Sequence, residues 1–149
     1  MIRYSEKRIS DILGITLQYE MCYTNILQVL ELSQIPMYSK DRGEEYPIVI
    51  GGGPCSYNPE PLAPFFDIFY IGEGEVAYDK LLDLYKECKS ENLSKHEFLR
   101  KAAKLEGMYV PEFYDVSYKE DGTIALFTPK YEDVPSVVHR VVVQNMDTV

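Results

Sequence analysis

The 149-residue sequence has no tryptophan, three cysteines and no long apolar run. Cys22, Cys55 and Cys88 stand far apart, which excludes a disulfide framework or a zinc knuckle built on short Cys-x-x-Cys spacing. We expect each of them to be a reduced, semi-buried small hydrophobe. Every apolar stretch is far shorter than the roughly 20 residues that cross a bilayer, and no secretory leader opens the chain. We therefore expect a cytoplasmic protein with no membrane partner.

Basic residues are also scarce. Fifteen lysines and arginines face 24 aspartates and glutamates, so the net charge is -9. Without a basic stripe, nucleic acid is not expected as a direct partner. The remaining composition, 46% hydrophobic and 26% charged, is typical of a globular protein of one ordinary domain.

The chain alternates between short apolar runs and segments of helical periodicity. Buried strands are predicted at 11–17, 47–50 and 67–71. Helices are predicted at 26–32 with Thr24 or Asn25 as the cap, at 60–66, from the Gly72–Glu75 loop to about Cys88, and at 95–105 between Ser94 and Gly107. This order is typical of an α/β fold with a Rossmann-like, flavodoxin-type parallel sheet.

The pattern of apolar and polar residues changes at residue 108. Alternating segments at 109–118 and 123–128 flank a turn at 120–122, and a further strand is predicted at 137–143. We therefore divide the chain into an α/β domain, 1–107, and a β-rich connector arm, 108–149. The sheet is expected to be incomplete at its N-terminus, as in a piece of a longer protein. Its open edge predicts self-association.

Two glycine loops follow predicted strands. Gly51, Gly52 and Gly53 precede Pro54 at the edge where α/β sheets bind ligands, and three glycines exceed the need of one turn. Gly72-x-Gly74-x-x-Ala77 matches a dinucleotide fingerprint in form. However, Glu73 and Glu75 would repel a pyrophosphate and instead suit the start of a helix. Both loops can also be explained as turns.

Few other residues suggest chemistry. Tyr19 and Glu20 follow the first strand, where they could line a crevice or serve the next helix. His96 is expected to face solvent and His139 to pack in a sheet. Neither lies near a glycine loop, and Ser56 lacks a nucleophile-elbow context, so we assign no catalytic residue and no metal site.

The glycine loops and the residues around them resemble a known family. The segments Val49-Ile50-Gly51-Gly52-Gly53-Pro54, Pro59-Glu60-Pro61-Leu62 and 67–75 resemble the cobalamin-binding-type domain that precedes the catalytic barrel in many radical SAM enzymes. The stretch 14–27 is similar to one subgroup of that family, and residues 108–149 resemble the connector before the barrel.

The resemblance implies an accessory domain that covers a radical SAM barrel, joined to it in one chain or encoded by a split gene. It implies a corrinoid pocket at Gly51–Gly53 and Gly72–Glu75, to which Pro54, Tyr19 and Glu20 contribute. No Asp-x-His-x-x-Gly is present, so cobalamin would bind without a histidine on cobalt. No Cys-x-x-x-Cys-x-x-Cys is present either, so S-adenosylmethionine and the iron–sulfur cluster would belong to the full-length protein.

Two other functions compete with this interpretation. The chain could be a standalone interaction module whose glycines only shape turns, with its 13 tyrosines forming an interface. Tight binding of NAD or FMN would instead indicate a nucleotide-binding protein. Whether the chain belongs to an enzyme is left open, because the cluster motif is missing.

Overall fold

The computed structural model describes residues 10–74 and 78–143 and confirms the α/β class. The strands are β1 (Ile12–Thr16), β2 (Ile48–Gly52), β3 (Ile68–Tyr70), β4 (Met108–Tyr109), β5 (Tyr114–Tyr118) and β6 (Ile124–Pro129). The helices are α1 (Tyr23–Leu32), α2 (Tyr78–Ser90) and α3 (Lys95–Ala102), with short 3₁₀ turns between elements. In these residues no helix has both the length and the apolar character needed to cross a membrane.

The main sheet has the strand order β1-β2-β3-β4. β1, β2 and β3 are parallel, as the continuous apolar runs predicted, whereas β4 pairs with β3 in the antiparallel direction. Consecutive parallel strands lying side by side match the 3-4-5 portion of the flavodoxin order. β4 begins at residue 108, so the segment that was predicted as an arm starts as an edge strand of the main sheet.

β2 is longer than predicted. Gly51 and Gly52 continue the strand and pair with Ile15 and Thr16, so they do not stop it. Glycine is a weak strand former, but here the neighbouring strands supply the ladder hydrogen bonds and large side chains cover the backbone. All five residues of β2 are buried.

The two faces of the sheet carry different layers. Ile15, Gly51, Phe69 and Tyr109 are successive cross-strand partners and share one face. Phe66 packs on Phe69 on this face, with ring centroids 4.8 Å apart. Gly52, one residue along, lies on the opposite face, beneath the first residue of α2. Both faces are therefore covered, as a parallel sheet requires.

The N-cap of α1 lies two residues before Thr24, the earlier of the two predicted caps. Cys22 is the N-cap residue and makes no side-chain cap bond, so Thr24 and Asn25 lie inside the first turn. Ile26 and Leu30 are buried, as expected for positions four residues apart on one face. Of the other leucine and valine residues of this helix, Leu27 is half-buried, whereas Val29 and Leu32 are exposed.

α2 and α3 pack against each other. Ser94 starts α3 with a capping box, in which its hydroxyl accepts from the Glu97 amide and the Glu97 carboxylate accepts from the Ser94 amide. This confirms the predicted cap. Tyr85 of α2 meets Phe98 of α3 edge to face, with centroids 5.3 Å apart.

The hairpin prediction was right for β5 and β6, which pair on either side of the 120–122 turn. The strand predicted at 137–143 was wrong, because only one bridge forms there, between Val141 and Gly72. His139 is accordingly exposed and does not pack in a sheet. Cys22 is exposed too, against the expectation of a semi-buried thiol, whereas Cys55 and Cys88 are buried.

A buried ion pair lies at the edge of the sheet where β2 and β3 begin. The side chains of Arg42 and Asp67 are 0% and 1% exposed, and Arg42 Nη2 lies 3.2 Å from Asp67 Oδ2. Asp67 also accepts from the Val49 amide at 2.7 Å and from the Ser39 hydroxyl at 2.6 Å. Lys95 Nζ lies 3.0 Å from Asp67 Oδ1. The long loop before β2 is held to the sheet by these contacts.

Candidate functional site

The carboxyl ends of β1 and β2 are joined by backbone hydrogen bonds. The Leu17 amide donates to the Gly52 carbonyl at 2.6 Å, and the Cys55 amide donates to the Leu17 carbonyl at 2.9 Å. Between them Gly53 has φ +96°, a conformation that favours glycine. Pro54 then begins a 3₁₀ turn over Pro54–Tyr57. The predicted loop is thus a tight turn at the ligand-binding edge of the fold.

The first glycine loop is packed by the chain's own side chains. A Cβ on Gly51 would lie 3.0 Å from both the Phe66 and Phe69 rings, and one on Gly52 would lie 3.4 Å from the Tyr78 hydroxyl. A Cβ on Gly53 would lie 3.1 Å from the Leu17 carbonyl oxygen. Internal packing therefore accounts for Gly51 and Gly53, whereas a Cβ on Gly52 would make an ordinary van der Waals contact.

The second glycine loop lies against the segment that contains Val141. Gly72 has φ +135°, and a Cβ there would lie 2.4 Å from the Val141 carbonyl oxygen. The Glu73 amide donates to that oxygen at 3.0 Å, and the Val141 amide donates to the Ile71 carbonyl at 3.0 Å. A Cβ on Gly74 would lie 2.3 Å from the Tyr78 ring. Glu75 lies outside the described residues.

Glu73 holds the same segment through its side chain. Its carboxylate accepts from the Val143 amide, and its carbonyl accepts from the Tyr70 hydroxyl at 2.6 Å. The predicted role of Glu73 toward a ligand remains a prediction. In the structure Glu73 also links residues 141–143 to the carboxyl end of β3 through these hydrogen bonds.

Tyr19 and Glu20 lie at this edge, with the Tyr19 ring exposed. They lead into a 3₁₀ turn, Glu20–Cys22, that precedes α1. Near them lie the Tyr23 side chain and the thiol of Cys55. Burial, then the nearby Glu20 carboxylate, raises the pKa of Cys55, so this thiol stays protonated and is a poor nucleophile.

Sequence reasoning missed two residues that organise the edge. The Ser56 hydroxyl is buried and shares its hydrogen bonding between the carbonyls of Gly53 at 2.7 Å and Tyr70 at 2.9 Å, which joins the ends of β2 and β3. Tyr78 covers Gly52 and Gly74 from the start of α2. The sequence around Ser56 and Tyr78 gives no signal for these roles, because they depend on the alignment of separate strands.

The described residues do not form an open corrinoid cradle. Tyr78 lies over Gly52 and Gly74, and Val141 lies over Gly72, where a cofactor would approach the glycines. Cobalamin would have to displace these residues. Among the described residues, no group of three or more His, Cys, Asp or Glu side chains could hold a metal ion. The chain also lacks the cysteine spacing of the radical SAM cluster, so that cluster does not fit here.

Comparison with known proteins gives the family. The sequence profile described as radical SAM proteins, N-terminal, matches residues 5–111. The chain belongs to this family. The match spans β1 to β4, the helices α1 to α3 of the described residues and both glycine loops, so the α/β unit is the radical SAM N-terminal domain.

One curated relative matches part of this chain. The chain is 40% identical over 68 residues to the uncharacterized protein MJ0966 of Methanocaldococcus jannaschii, a match that covers 44% of this chain and 13% of the relative. The matched part is therefore a small share of that relative. No solved structure matches the chain.

Proposed function

We propose that this chain is the accessory domain that covers the catalytic barrel of a radical SAM enzyme and shapes its substrate pocket, with no catalysis of its own. The family match carries the proposal. The carboxyl edge supports it, because α/β sheets place ligands there. The Tyr19 ring is exposed at that edge and is available to a partner.

A corrinoid role is the finer form of this proposal. It requires that the segment around Val141 leave Gly72 and that Tyr78 move off Gly52. Titration with cobalamin tests it. A change in the absorption spectrum of cobalamin, together with retention of cobalamin on the protein through gel filtration, would support the corrinoid role. An unchanged spectrum and no retention would contradict it, and the shaping of the substrate pocket would then be the remaining role. Titrations with NAD and FMN run beside it, and tight binding of either would favour a nucleotide-binding protein.

The DNA on both sides of the reading frame provides the first test. We expect Cys-x-x-x-Cys-x-x-Cys to be encoded in the same frame or in a neighbouring gene. If neither contains it, the proposal fails and an interaction module becomes the better explanation. If a neighbouring gene contains it, association of the two polypeptides can be measured directly by titration calorimetry.

Two exposed residues of similar accessibility make a matched pair for that measurement. Met21 is 74% exposed beside the carboxyl edge, and Leu32 is 76% exposed at the far end of α1. We expect Met21→Ser to weaken association with the barrel and Leu32→Ser to leave it unchanged. Equal effects of the two substitutions would contradict docking through the carboxyl edge.

A further inference from the structure

A cavity lies between the segment that leads to β2, the 3₁₀ turn Glu60–Phe65 and strand β5. Tyr38 and Lys40 come from the first of these elements, Glu60 from the second and Tyr118 from the third. The cavity has a volume of about 540 Å³, within the range of sites for small organic ligands. We call it the tyrosine groove; its tyrosines are Tyr38, Tyr109, Tyr114 and Tyr118.

A carboxylate is held in position within the groove. The Tyr109 side chain is buried, and its hydroxyl donates to Glu60 Oε1. The Tyr118 hydroxyl donates to Glu60 Oε2 at 3.4 Å. Burial, then the hydrogen bond to Glu60, raises the pKa of Tyr109, so the phenol remains a donor. A carboxylate accepts about four hydrogen bonds, which leaves capacity for a ligand.

The walls of the groove suit a positive charge. The face of a tyrosine ring attracts an ammonium or guanidinium group within about 6 Å of its centroid. Lys40 already illustrates this contact, because its Nζ lies 5.7 Å from the Tyr38 centroid. The Tyr38 ring stacks on the Phe65 ring, with ring centroids 5.3 Å apart, and this contact helps to hold Tyr38 in position. The net charge of -9 further favours a cation over an anion.

We propose that the tyrosine groove binds an organic cation, whose ammonium or guanidinium group contacts Glu60 and the rings of Tyr38 and Tyr118. This goes beyond the proposed function, because Tyr38, Glu60 and Tyr118 take no part in the carboxyl-edge site described above and binding of a cation requires no barrel. Lys40 is a competing cation at the same ring, so its removal should strengthen binding.

Calorimetric titration of the whole chain tests the proposal with two cationic probes and their uncharged isosteres. Choline is paired with dimethylbutanol, and N-acetylarginine amide with N-acetylcitrulline amide. We expect at least one cation to bind with a Kd at or below about 1 mM and at least about tenfold more tightly than its isostere. Which cation binds identifies the preferred head group.

Three variants locate the site. Glu60→Gln keeps the shape of the side chain and should weaken binding about tenfold, because a charge-assisted contact is lost. Tyr118→Leu removes a ring and should also weaken binding, whereas Tyr57→Leu, matched in exposure at 55% against 56%, should not. Lys40→Ala should strengthen binding.

Several results would overturn the proposal. Failure of both cations to bind at about 10 mM, well above the expected Kd, is one. Equal binding of a cation and its isostere is another, since it would remove the charge from the explanation. A loss in Tyr57→Leu as large as that in Tyr118→Leu would place the site elsewhere. If Glu60→Gln does not fold, the two tyrosine variants still decide the question.

Discussion

Asp67 is the residue whose removal should reveal most about the stability of this fold. Its carboxylate faces the guanidinium of Arg42, with Nε at 3.2 Å, and both side chains are almost fully buried. Burial lowers the pKa of Arg42, and the nearby Asp67 charge opposes that shift. In Asp67→Ala the guanidinium stays buried without its partner, because Arg42 remains hydrogen-bonded to the carbonyls of Pro36 and Phe65.

The size of the effect follows from that geometry. Breaking a buried ion pair by removing one partner costs about 3–5 kcal/mol. The Val49 amide loses its acceptor as well. Total stability of a domain is about 5–15 kcal/mol, so the loss is a large fraction of it. With a urea slope of about 2 kcal/mol per molar, a loss of about 4 kcal/mol lowers the midpoint by about 2 M.

Urea unfolding followed by circular dichroism measures this midpoint. Asp83→Ala is the matched control, because Asp83 pairs with Lys86 at 2.8 Å while both side chains are 73% exposed. Exposed pairs contribute little, so the control midpoint should barely move. Asp67→Asn, which keeps the shape but not the charge, should lie between the two. Equal, small losses in Asp67→Ala and Asp83→Ala would refute the reasoning.

Three further outcomes are expected. Gly72→Ala should lower the free energy of unfolding in urea by more than about 1 kcal/mol and speed hydrogen exchange at the Val141 amide, because the new Cβ would meet the Val141 carbonyl. In the control Gly122→Ala the new Cβ meets open space, so the free energy of unfolding should fall less and that exchange should be unchanged. Ser94→Ala should cost about 1 kcal/mol through the lost cap, and a midpoint equal to wild type would contradict the capping box. Hydrogen bonds from Ser94 lower the pKa of Glu97, so its stabilisation is complete above the unfolded pKa of about 4.3 and fades as pH falls through the lower folded value. Midpoints measured across that range should lose this acid dependence in Glu97→Gln.

Thiol chemistry offers an independent check of burial. Cys22 is exposed, whereas Cys55 and Cys88 are buried and burial raises the pKa of both. An aromatic disulfide reagent should therefore modify one thiol quickly in the folded protein and the other two only after unfolding. Rapid reaction of more than one native thiol would contradict the packing at Cys55 or Cys88.

Local patterns predicted the elements whose residues all agree. The short, β-branched apolar run at 47–50 favoured a buried strand, and the Ser94–Glu97 pair indicated the start of α3. The valine-rich run at 137–143 led to a wrong prediction, because a local pattern does not show whether a partner strand is present. β-branched residues favour a strand, but the Val141 segment finds a single bridge at Gly72 and no ladder to extend.

The amino-acid sequence by itself determined the α/β class, the parallel strands and the turns at Gly53 and Gly72, because periodicity and backbone freedom act over a few neighbouring residues. It did not show that Gly51 and Gly52 continue β2. Tertiary structure alone decided what those glycines face. Val141 reaches Gly72 and Tyr109 reaches Glu60 from 69 and 49 residues away along the chain. Such contacts depend on how whole strands and loops align in space, which no local pattern encodes.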